Sequence, residues 1–384
     1  MYNTQKLLIN LIKSAVCGTP CECTGEITES ELNSLYNISN KHDLTQMIVA
    51  PLEEMSVLKP EYAVTEKFKK ALFTAIYRYE KSNYDLNQIC ELFSKKGIDH
   101  IPLKGAVIRN YYPKPYFRTS CDLDILVKQE DVERATELLT SRLNYRFETK
   151  GRYDVSLFAP SGGHIELHFG LNGNDFRKAK SLVDVWESGE LSSISPNRFV
   201  MSPELFLLFH VYHMAKHFVH GGCGIKPFID LWIVKNKIGY DKERAEKMLH
   251  ENELLEFYKN ALTLSEIWFD GKEYTPIAKD MEDYVLYGGV YGTLEQHVAM
   301  SQSKKGGKLG HILSRLFVSY DTLVVLYPSL RKCPLLFPLY QIRRWFRVLS
   351  PTKRRRALNE MKLNQNISAI KKEKAKNLLD ELGL

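Results

Sequence analysis

The spacing of apolar residues changes twice along this chain, and each change predicts a different kind of structure. From the N-terminus to about residue 97 the apolar residues recur at helical spacing, with helices predicted over 6–16, 28–37 and 64–96. From about residue 98 to 195, short apolar runs alternate with helical segments, which predicts a sheet packed with helices. After Ser202-Pro203-Glu204, where serine caps and proline opens a helix, the spacing is helical again.

These patterns predict an α+β fold in which a compact mixed sheet is flanked by N-terminal and C-terminal helical regions. The predicted boundaries are 1–97, 98–200 and 201–384. Within the central region the predicted order is strand 101–103, helix 105–111, strand 121–127, helix 130–142, strand 145–149 and a hairpin of 154–159 with 164–169.

Length and composition narrow the class of protein. A chain of 384 residues exceeds the ~250–300 that one hydrophobic core usually supports, so we expect two or three packed units. No apolar run approaches the ~20 residues of a membrane helix. The seven cysteines are odd in number and scattered, which predicts reduced thiols in a cytoplasmic protein rather than a disulfide framework.

The strongest chemical signal lies in the strand predicted over 121–127. Asp122 and Asp124 are two residues apart, so on a strand both side chains point to one face. Two carboxylates this close repel each other unless a cation lies between them, and Mg²⁺ is the usual cation for such a pair. The spacing therefore predicts a metal site.

Two further segments supply groups that would complete such a site. The second arm of the predicted hairpin carries Glu166 and, after a turn at Ser161-Gly162-Gly163, can lie beside the Asp122 strand. Upstream, Lys104-Gly105 follows a short strand and precedes a helix, where a lysine and backbone N–H groups can meet phosphate.

In this order the motifs resemble the nucleotidyltransferase superfamily that includes DNA polymerase beta, and most closely its uncharacterised nucleotidyltransferase family. The resemblance spans roughly residues 60 to 350. It is carried by Leu103-Lys104-Gly105, Arg118, Asp122-Leu123-Asp124 and Ile165-Glu166-Leu167-His168. The chain departs from the wider superfamily at Gly105-Ala106, where Gly-Ser is usual, so the phosphate turn has no hydroxyl of its own. Lys104 or Ser120 is expected to make that contact instead.

The resemblance implies Mg²⁺- or Mn²⁺-dependent transfer of a nucleoside monophosphate from an NTP to a hydroxyl of a small molecule, a sugar or a protein. Asp122, Asp124 and Glu166 would be the catalytic metal ligands, with Glu166 as an alternative general base. Lys104, Gly105, Arg118 and Ser120 would contact the nucleotide phosphates.

A group of histidines in the C-terminal region has two interpretations. His213 and His217 have the i, i+4 spacing of a metal pair, but core or surface histidines hydrogen-bonded to their neighbours are the favoured explanation. The resemblance makes His168, His213, His217 and Asp230 additional candidates at the nucleotide cleft.

The charge is unevenly distributed. Residues 301–384 contain 18 Lys and Arg against 5 Asp and Glu, including Arg343-Arg344-Trp345-Phe346-Arg347 and Lys353-Arg354-Arg355-Arg356. This basic end predicts either contact with an anionic partner, RNA or a membrane surface, or a helix packed on the acidic body with its charges in solvent. The prolines around Leu335-Leu336-Phe337 favour the packed segment. An alternative to the enzyme is therefore a non-catalytic nucleotide-, nucleic-acid- or membrane-binding protein on the same fold.

Overall fold

Four helices precede the first strand in the part of the chain that the structure describes. The computed structural model describes residues 3–21, 26–171, 182, 185–187, 189–192, 194–290, 292–304, 308–348 and 369–384. The four helices are α1 (Thr4–Cys17), α2 (Glu29–Lys41), α3 (Thr45–Glu54) and α4 (Ala63–Lys95). The predicted helices over 6–16, 28–37 and 64–96 are confirmed, whereas α3 was not singled out by the apolar spacing.

A five-stranded mixed sheet follows, as predicted. Its strands are β1 (His100–Pro102), β2 (Asp122–Val127), β3 (Arg146–Lys150), β4 (Asp154–Phe158) and β5 (His164–His168). They lie in the order β1-β2-β5-β4-β3, with β2 and β5 parallel and the other neighbours antiparallel. The hairpin turn between β4 and β5 includes Gly162, whose φ of 80° is a conformation that glycine adopts without strain.

The helices around the sheet agree with the predicted order in outline. The helix predicted over 105–111 is a four-residue helix, α5 (Gly105–Ile108), followed by a 3₁₀ turn at Arg109–Tyr111. The helix predicted over 130–142 is α6 (Val132–Arg142), preceded by a 3₁₀ turn at Gln129–Asp131. A two-stranded ribbon, β6 (Glu190–Leu191) with β7 (Phe199–Val200), leads out of the sheet.

The rest of the described chain is helical. The helices are α7 (Pro203–Val219), α8 (Lys226–Ile233), α9 (Lys242–Glu251), α10 (Leu255–Asp270), α11 (Pro276–Gly288), α12 (Leu294–Lys304), α13 (Lys308–Leu316), α14 (Tyr320–Leu326), α15 (Phe337–Val348) and α16 (Ala369–Glu381). Ser202 caps α7 as predicted, because its Oγ accepts a hydrogen bond from the N–H of Leu205 at 3.3 Å. Among the described residues, no helix is long and apolar enough to cross a membrane.

Two large hydrophobic cores hold these elements together. One core lies behind the sheet, where Ile89 of α4, Ile125 of β2 and Leu167 of β5 are buried together. The other combines both ends of the chain, since Leu8 of α1 belongs to the same buried cluster as Phe218 of α7. The N-terminal and C-terminal helices therefore share one core, and the division at 97 and 200 stays a prediction about sequence regions.

Candidate functional site

The register of two parallel strands brings the predicted carboxylates together. Asp124 of β2 pairs with Glu166 of β5, and Asp122 pairs with His164. Because side chains alternate along a strand, Asp122, Asp124, Glu166 and His168 share one face of the sheet. The intervening side chains, Leu123, Ile125, Ile165 and Leu167, point into the core behind it. The hairpin arm therefore lies beside the Asp122 strand, as predicted.

Asp124 is the centre of this cluster. Its carboxylate is almost fully buried, and Oδ1 accepts hydrogen bonds from Lys104 Nζ and from His168 Nε2, each at 2.8 Å. His168 Nε2 also lies 3.4 Å from Oε2 of Glu166. Ligand atoms of Asp124, Glu166 and His168 all lie within 4.8 Å of one another, close enough to hold one metal ion. Asp122 lies on the same strand face and lines the adjacent cavity.

The charges in this cluster shift one another strongly. Burial alone would raise the pKa of Asp124, but the charges of Lys104 and His168 lower it well below the usual range. Burial opposes protonation of His168, yet hydrogen bonds to Asp124 and Glu166 raise its pKa to about 9. Burial and the negative charge of Asp124 raise the pKa of Asp122. A surplus of negative charge thus remains on this face of the sheet.

The turn that carries Lys104 has an unusual backbone. Lys104 has φ 43° and ψ −120°, a conformation that non-glycine residues rarely adopt. Strand β1 positions the turn, since Leu103 donates its N–H to the carbonyl of Asp124 at 3.0 Å. A Cβ placed on Gly105 would lie 3.5 Å from Oγ of Ser120. The Ser120 hydroxyl therefore lies beside the phosphate turn, although it comes from the segment before β2.

Arg118 lies in a different arrangement from the one its motif suggests. Its Nε donates to both carboxylate oxygens of Asp230 at 2.9 and 3.0 Å, and its Nη2 lies 2.9 Å from Oδ2. Tyr112 donates its hydroxyl to the same carboxylate at 2.6 Å. Nη1 of Arg118 donates to the carbonyl of Thr119. Through these contacts Arg118 joins the segment before β2 to α8. It also lines the cavity, and its contact with a phosphate stays a prediction.

The opposite wall of the cavity is formed by α7 and α8. His213 and His217 contact each other through their Nε2 atoms at 3.1 Å, and Nε2 of His210 lies 3.0 Å from the carbonyl of Pro227. Burial lowers the pKa of His217 to about 4 and the pKa of His213 well below its usual value, with the nearby charge of Lys104 as the next cause. His213 and His217 therefore bond to each other within the wall and also line the cavity, and their role at the nucleotide cleft stays a prediction.

One ion pair at this wall was not predicted. Lys226 Nζ lies 2.6 Å from Oδ2 of Asp43 and 2.8 Å from Oγ1 of Thr119, and it donates to the carbonyl of Thr119 at 3.1 Å. These residues belong to three distant parts of the chain, and none of them has a local motif. No sequence signal distinguishes Lys226 from the many solvated lysines.

The two walls enclose a cavity of about 530 Å³. It is large enough for a small ligand, and charged groups from both walls line it. Its lining residues from the sheet side and the turn are Lys104, Gly105, Ile108, Arg118, Thr119, Ser120, Cys121, Asp122 and Asp124. Those from the helical side are Asn40, Lys41, Asp43, Phe206, Phe209, His210, His213, Met214, His217, Cys223, Lys226, Pro227, Asp230 and Val290.

Comparison with known proteins gives a family match. A family model described as an uncharacterised nucleotidyltransferase matches residues 28–270, beginning earlier and ending earlier than the 60–350 predicted. No curated protein matches the chain. The solution structure of the antibiotic-resistance factor ANT(2'')-Ia is similar over 45% of this chain and 91% of that chain, at 12% identity and a TM-score of 0.35, which is too low to support an argument.

Proposed function

The chain belongs to the uncharacterised nucleotidyltransferase family, and from that premise we propose that it moves a nucleoside monophosphate from an NTP to an acceptor hydroxyl in a metal-dependent reaction. The membership makes the chain a nucleotidyltransferase and implies an NTP and an acceptor. The main support for the metal-dependent reaction is that Asp124 pairs with Glu166 in the sheet. Asp122 lies two residues from Asp124, and both aspartates line the cavity. Three carboxylates on one face are the arrangement that this chemistry needs.

The residues on the sheet face fit a divalent cation. Carboxylate oxygens are the ligands that Mg²⁺ and Mn²⁺ prefer, and Asp122, Asp124 and Glu166 would hold such an ion. The raised pKa of Asp122 indicates a carboxylate whose charge is not fully compensated by the protein. A bound ion would neutralise the negative charge that develops on the leaving pyrophosphate.

Lys104 and Ser120 are proposed to contact the nucleotide phosphates. Lys104 Nζ already lies 2.8 Å from Oδ1 of Asp124, so its charge is held at the carboxylates where the triphosphate would bind. The Ser120 hydroxyl lies beside Gly105 and accepts a hydrogen bond from Arg109 Nη2 at 2.8 Å, which leaves its own proton available to a phosphate oxygen. Ser120 would thus replace the hydroxyl that Gly105-Ala106 lacks.

In the proposed reaction the acceptor oxygen forms a bond to the α-phosphorus while the bond to pyrophosphate breaks. The acceptor proton must leave at the same time. In the alternative in which Asp122 and Asp124 alone hold the ion, Glu166 is the proposed base, because its carboxylate is partly exposed on the same face. In the metal-free protein, hydrogen bonds to Asp124 and Glu166 raise the pKa of His168 to about 9, and its charge there balances Asp124.

The acceptor is proposed to bind against the helical wall. On that side the charges of Arg118 and Lys226 are already paired with Asp230 and Asp43, and the imidazoles of His213 and His217 are neutral. This part of the wall offers hydrogen-bonding nitrogens without net charge. It therefore suits a neutral hydroxyl compound better than a second polyphosphate.

The test is isothermal titration of the full chain with each of the four NTPs, with and without Mg²⁺. Binding of an NTP is expected to require Mg²⁺ and to be lost when Asp122→Asn and Asp124→Asn are combined. Glu148→Gln is the matched control, because Glu148 is an exposed carboxylate on β3 at the far edge of the same sheet. Nucleotide binding that survives the double substitution would place the site elsewhere and favour a non-catalytic role.

A further inference from the structure

Helix α13 exposes apolar side chains along one face. Leu309, Leu313 and Leu316 are spaced i, i+4 and i+7, so they lie on one side of the helix, and all three are exposed, Leu309 by 75%. An isolated exposed leucine is ordinary, but a stripe of three on one helix face normally packs against something.

Helix α15 repeats the pattern. Leu339, Ile342 and Phe346 are spaced i, i+3 and i+7 and are exposed, and Leu335 just before the helix is 90% exposed. The sequence favoured a packed segment here, yet only Phe337 of that apolar run packs against the small buried cluster of α14. The segment is folded as predicted, but its leucines point to solvent.

The two stripes belong to adjoining helices. Trp345 of α15 donates its Nε1–H to the carbonyl of Leu316 at 2.8 Å, and its ring lies 5.7 Å from that of Phe317. Arg344 donates to the same carbonyl at 3.3 Å. We refer to the exposed side chains of the two stripes, three on each helix, together as the C-terminal apolar patch, and they are Leu309, Leu313, Leu316, Leu339, Ile342 and Phe346.

The patch lies in a strongly basic part of the chain. Residues 308–348 contain seven Lys and Arg and a single acidic residue, Asp321. Arg315 lies between two leucines of the α13 stripe, and Arg343 follows Ile342 on α15, where its guanidinium lies 5.3 Å from the Tyr327 ring. Apolar side chains flanked by positive charge match the interface of an anionic bilayer, with acyl chains below and phosphate groups above.

From this combination we infer that α13 and α15 bind the surface of an anionic membrane, a role separate from nucleotidyl transfer. The C-terminal apolar patch enters the boundary between headgroups and acyl chains. The surrounding Lys and Arg side chains contact lipid phosphates. The second basic run, Lys353 to Arg356, lies outside the described residues and is no part of the argument.

Two other partners fit the patch less well. Proteins hold unpaired nucleic-acid bases by stacking them on aromatic rings, whereas five of the six patch residues are aliphatic. A symmetric contact between two copies of this chain would place the patch against itself and set the same positive charges opposite each other. An anionic bilayer satisfies both the apolar and the basic groups.

The experiment is flotation of the full chain with vesicles of phosphatidylcholine alone and of phosphatidylcholine mixed with phosphatidylglycerol. Binding is expected only to the mixed vesicles. The variant Leu339→Ser with Phe346→Ser should bind roughly tenfold less or weaker still, since each side chain loses its apolar burial. The control is Phe73→Ser with Tyr77→Ser, two equally exposed apolar residues on α4, which should bind like the wild type.

A second variant separates charge from packing. Arg343→Gln should lower binding to the mixed vesicles by roughly fivefold, and added salt should reduce the difference. If Leu339→Ser with Phe346→Ser fails to fold by circular dichroism, Leu309→Ser with Leu313→Ser on α13 tests the same inference. Equal binding by wild type and patch variants would overturn it. So would RNA binding without vesicle binding, or a dimer in sedimentation that the patch substitutions dissolve.

Discussion

The two walls of the cavity are the sheet wall, which carries Asp122 and Asp124, and the helical wall of α7 and α8. They differ in how the charges of their carboxylates are balanced. On the sheet wall, burial and the charge of Asp124 raise the pKa of Asp122. On the helical wall, burial would raise the pKa of Asp230 as well, but Arg118 lowers it, and Lys226 does the same for Asp43. The sheet wall therefore keeps negative charge that a cation can neutralise, whereas the helical wall has neutralised its own.

The imidazoles show the same contrast. Hydrogen bonds to Asp124 and Glu166 outweigh burial and raise the pKa of His168 to about 9, while burial lowers the pKa of His217 to about 4. The pKa of a buried histidine thus rises where carboxylates accept its hydrogen bonds, as at His168, and falls where burial dominates, as at His217. The difference supports the proposal that the sheet wall performs the chemistry and the helical wall shapes the cavity.

The largest expected effect is on the helical wall. Asp230→Ala leaves Arg118 and the hydroxyl of Tyr112 buried without their acceptor, so the free energy of unfolding should fall by about 3–5 kcal/mol. Urea denaturation measures this. As a control, Asp280→Ala removes an ion pair with Lys374 that is exposed on both sides, and it should cost less than about 1 kcal/mol. If both variants lost the same free energy of unfolding, the buried ion pair of Asp230 with Arg118 would stabilise the fold no more than an exposed one.

The second effect is on the pH dependence of stability. We expect the free energy of unfolding to be highest between the pH ranges in which His217 and His168 titrate. The pKa of His217 is 6.5 in the unfolded chain and about 4 in the folded protein. The free energy of unfolding therefore falls as the pH drops through this range. His168 in the metal-free protein has the opposite shift, so the stability it contributes is complete below pH 6.5 and is lost as the pH rises through about 9. Each change is at most about 3 kcal/mol.

Urea denaturation across this pH range would test both limbs. His217→Asn should flatten the acid limb only in part, because burial lowers the pKa of His42 to about 4 as well. His168→Asn should flatten the alkaline limb. If NMR titrations gave both His168 and His217 a pKa near 6.5, the proposed difference between the two walls would be wrong.

The third effect concerns metal affinity on the sheet wall. Glu166→Gln removes one unit of negative charge from the cluster with Asp124 and His168. At ~4 Å such a charge is worth about 4 kcal/mol in a medium of effective dielectric constant 20, so Mn²⁺ binding should weaken at least about tenfold. Electron paramagnetic resonance of Mn²⁺ measures it, with Glu148→Gln as the control. If the affinity for Mn²⁺ were unchanged in Glu166→Gln, Glu166 would not be a metal ligand.

The smallest effect has the opposite sign. Asp122→Asn relieves repulsion with Asp124 and Glu166, so the metal-free protein should gain up to about 1 kcal/mol in its free energy of unfolding. Thermal unfolding in a metal chelator would detect the gain. If the variant instead lost stability, the protein itself would balance the charge of Asp122, as Arg118 does for Asp230 on the helical wall.

Much of the fold and the centre of the site follow from local sequence. Alternation fixes which residues of β2 and β5 share a face, because side chains on a strand repeat every two residues. The alternation predicts the five strands to within one residue at each end, the hairpin with its Gly162 turn and the approach of Glu166 to Asp124. The family resemblance is likewise confirmed, since its motifs are short and local.

What the tertiary structure decided is which distant groups meet. Arg118 and Asp230 are 112 positions apart, and Lys226 lies 183 positions from Asp43, so no local period relates them. The sequence places Arg118 just before the carboxylates, but only the approach of α8 to the segment before β2 gives it a partner, Asp230. The pKa directions of His168 and His217 depend on the same packing, because burial and facing charges are properties of the assembled walls. Local spacing determines which face a residue occupies, and only the fold determines what it faces.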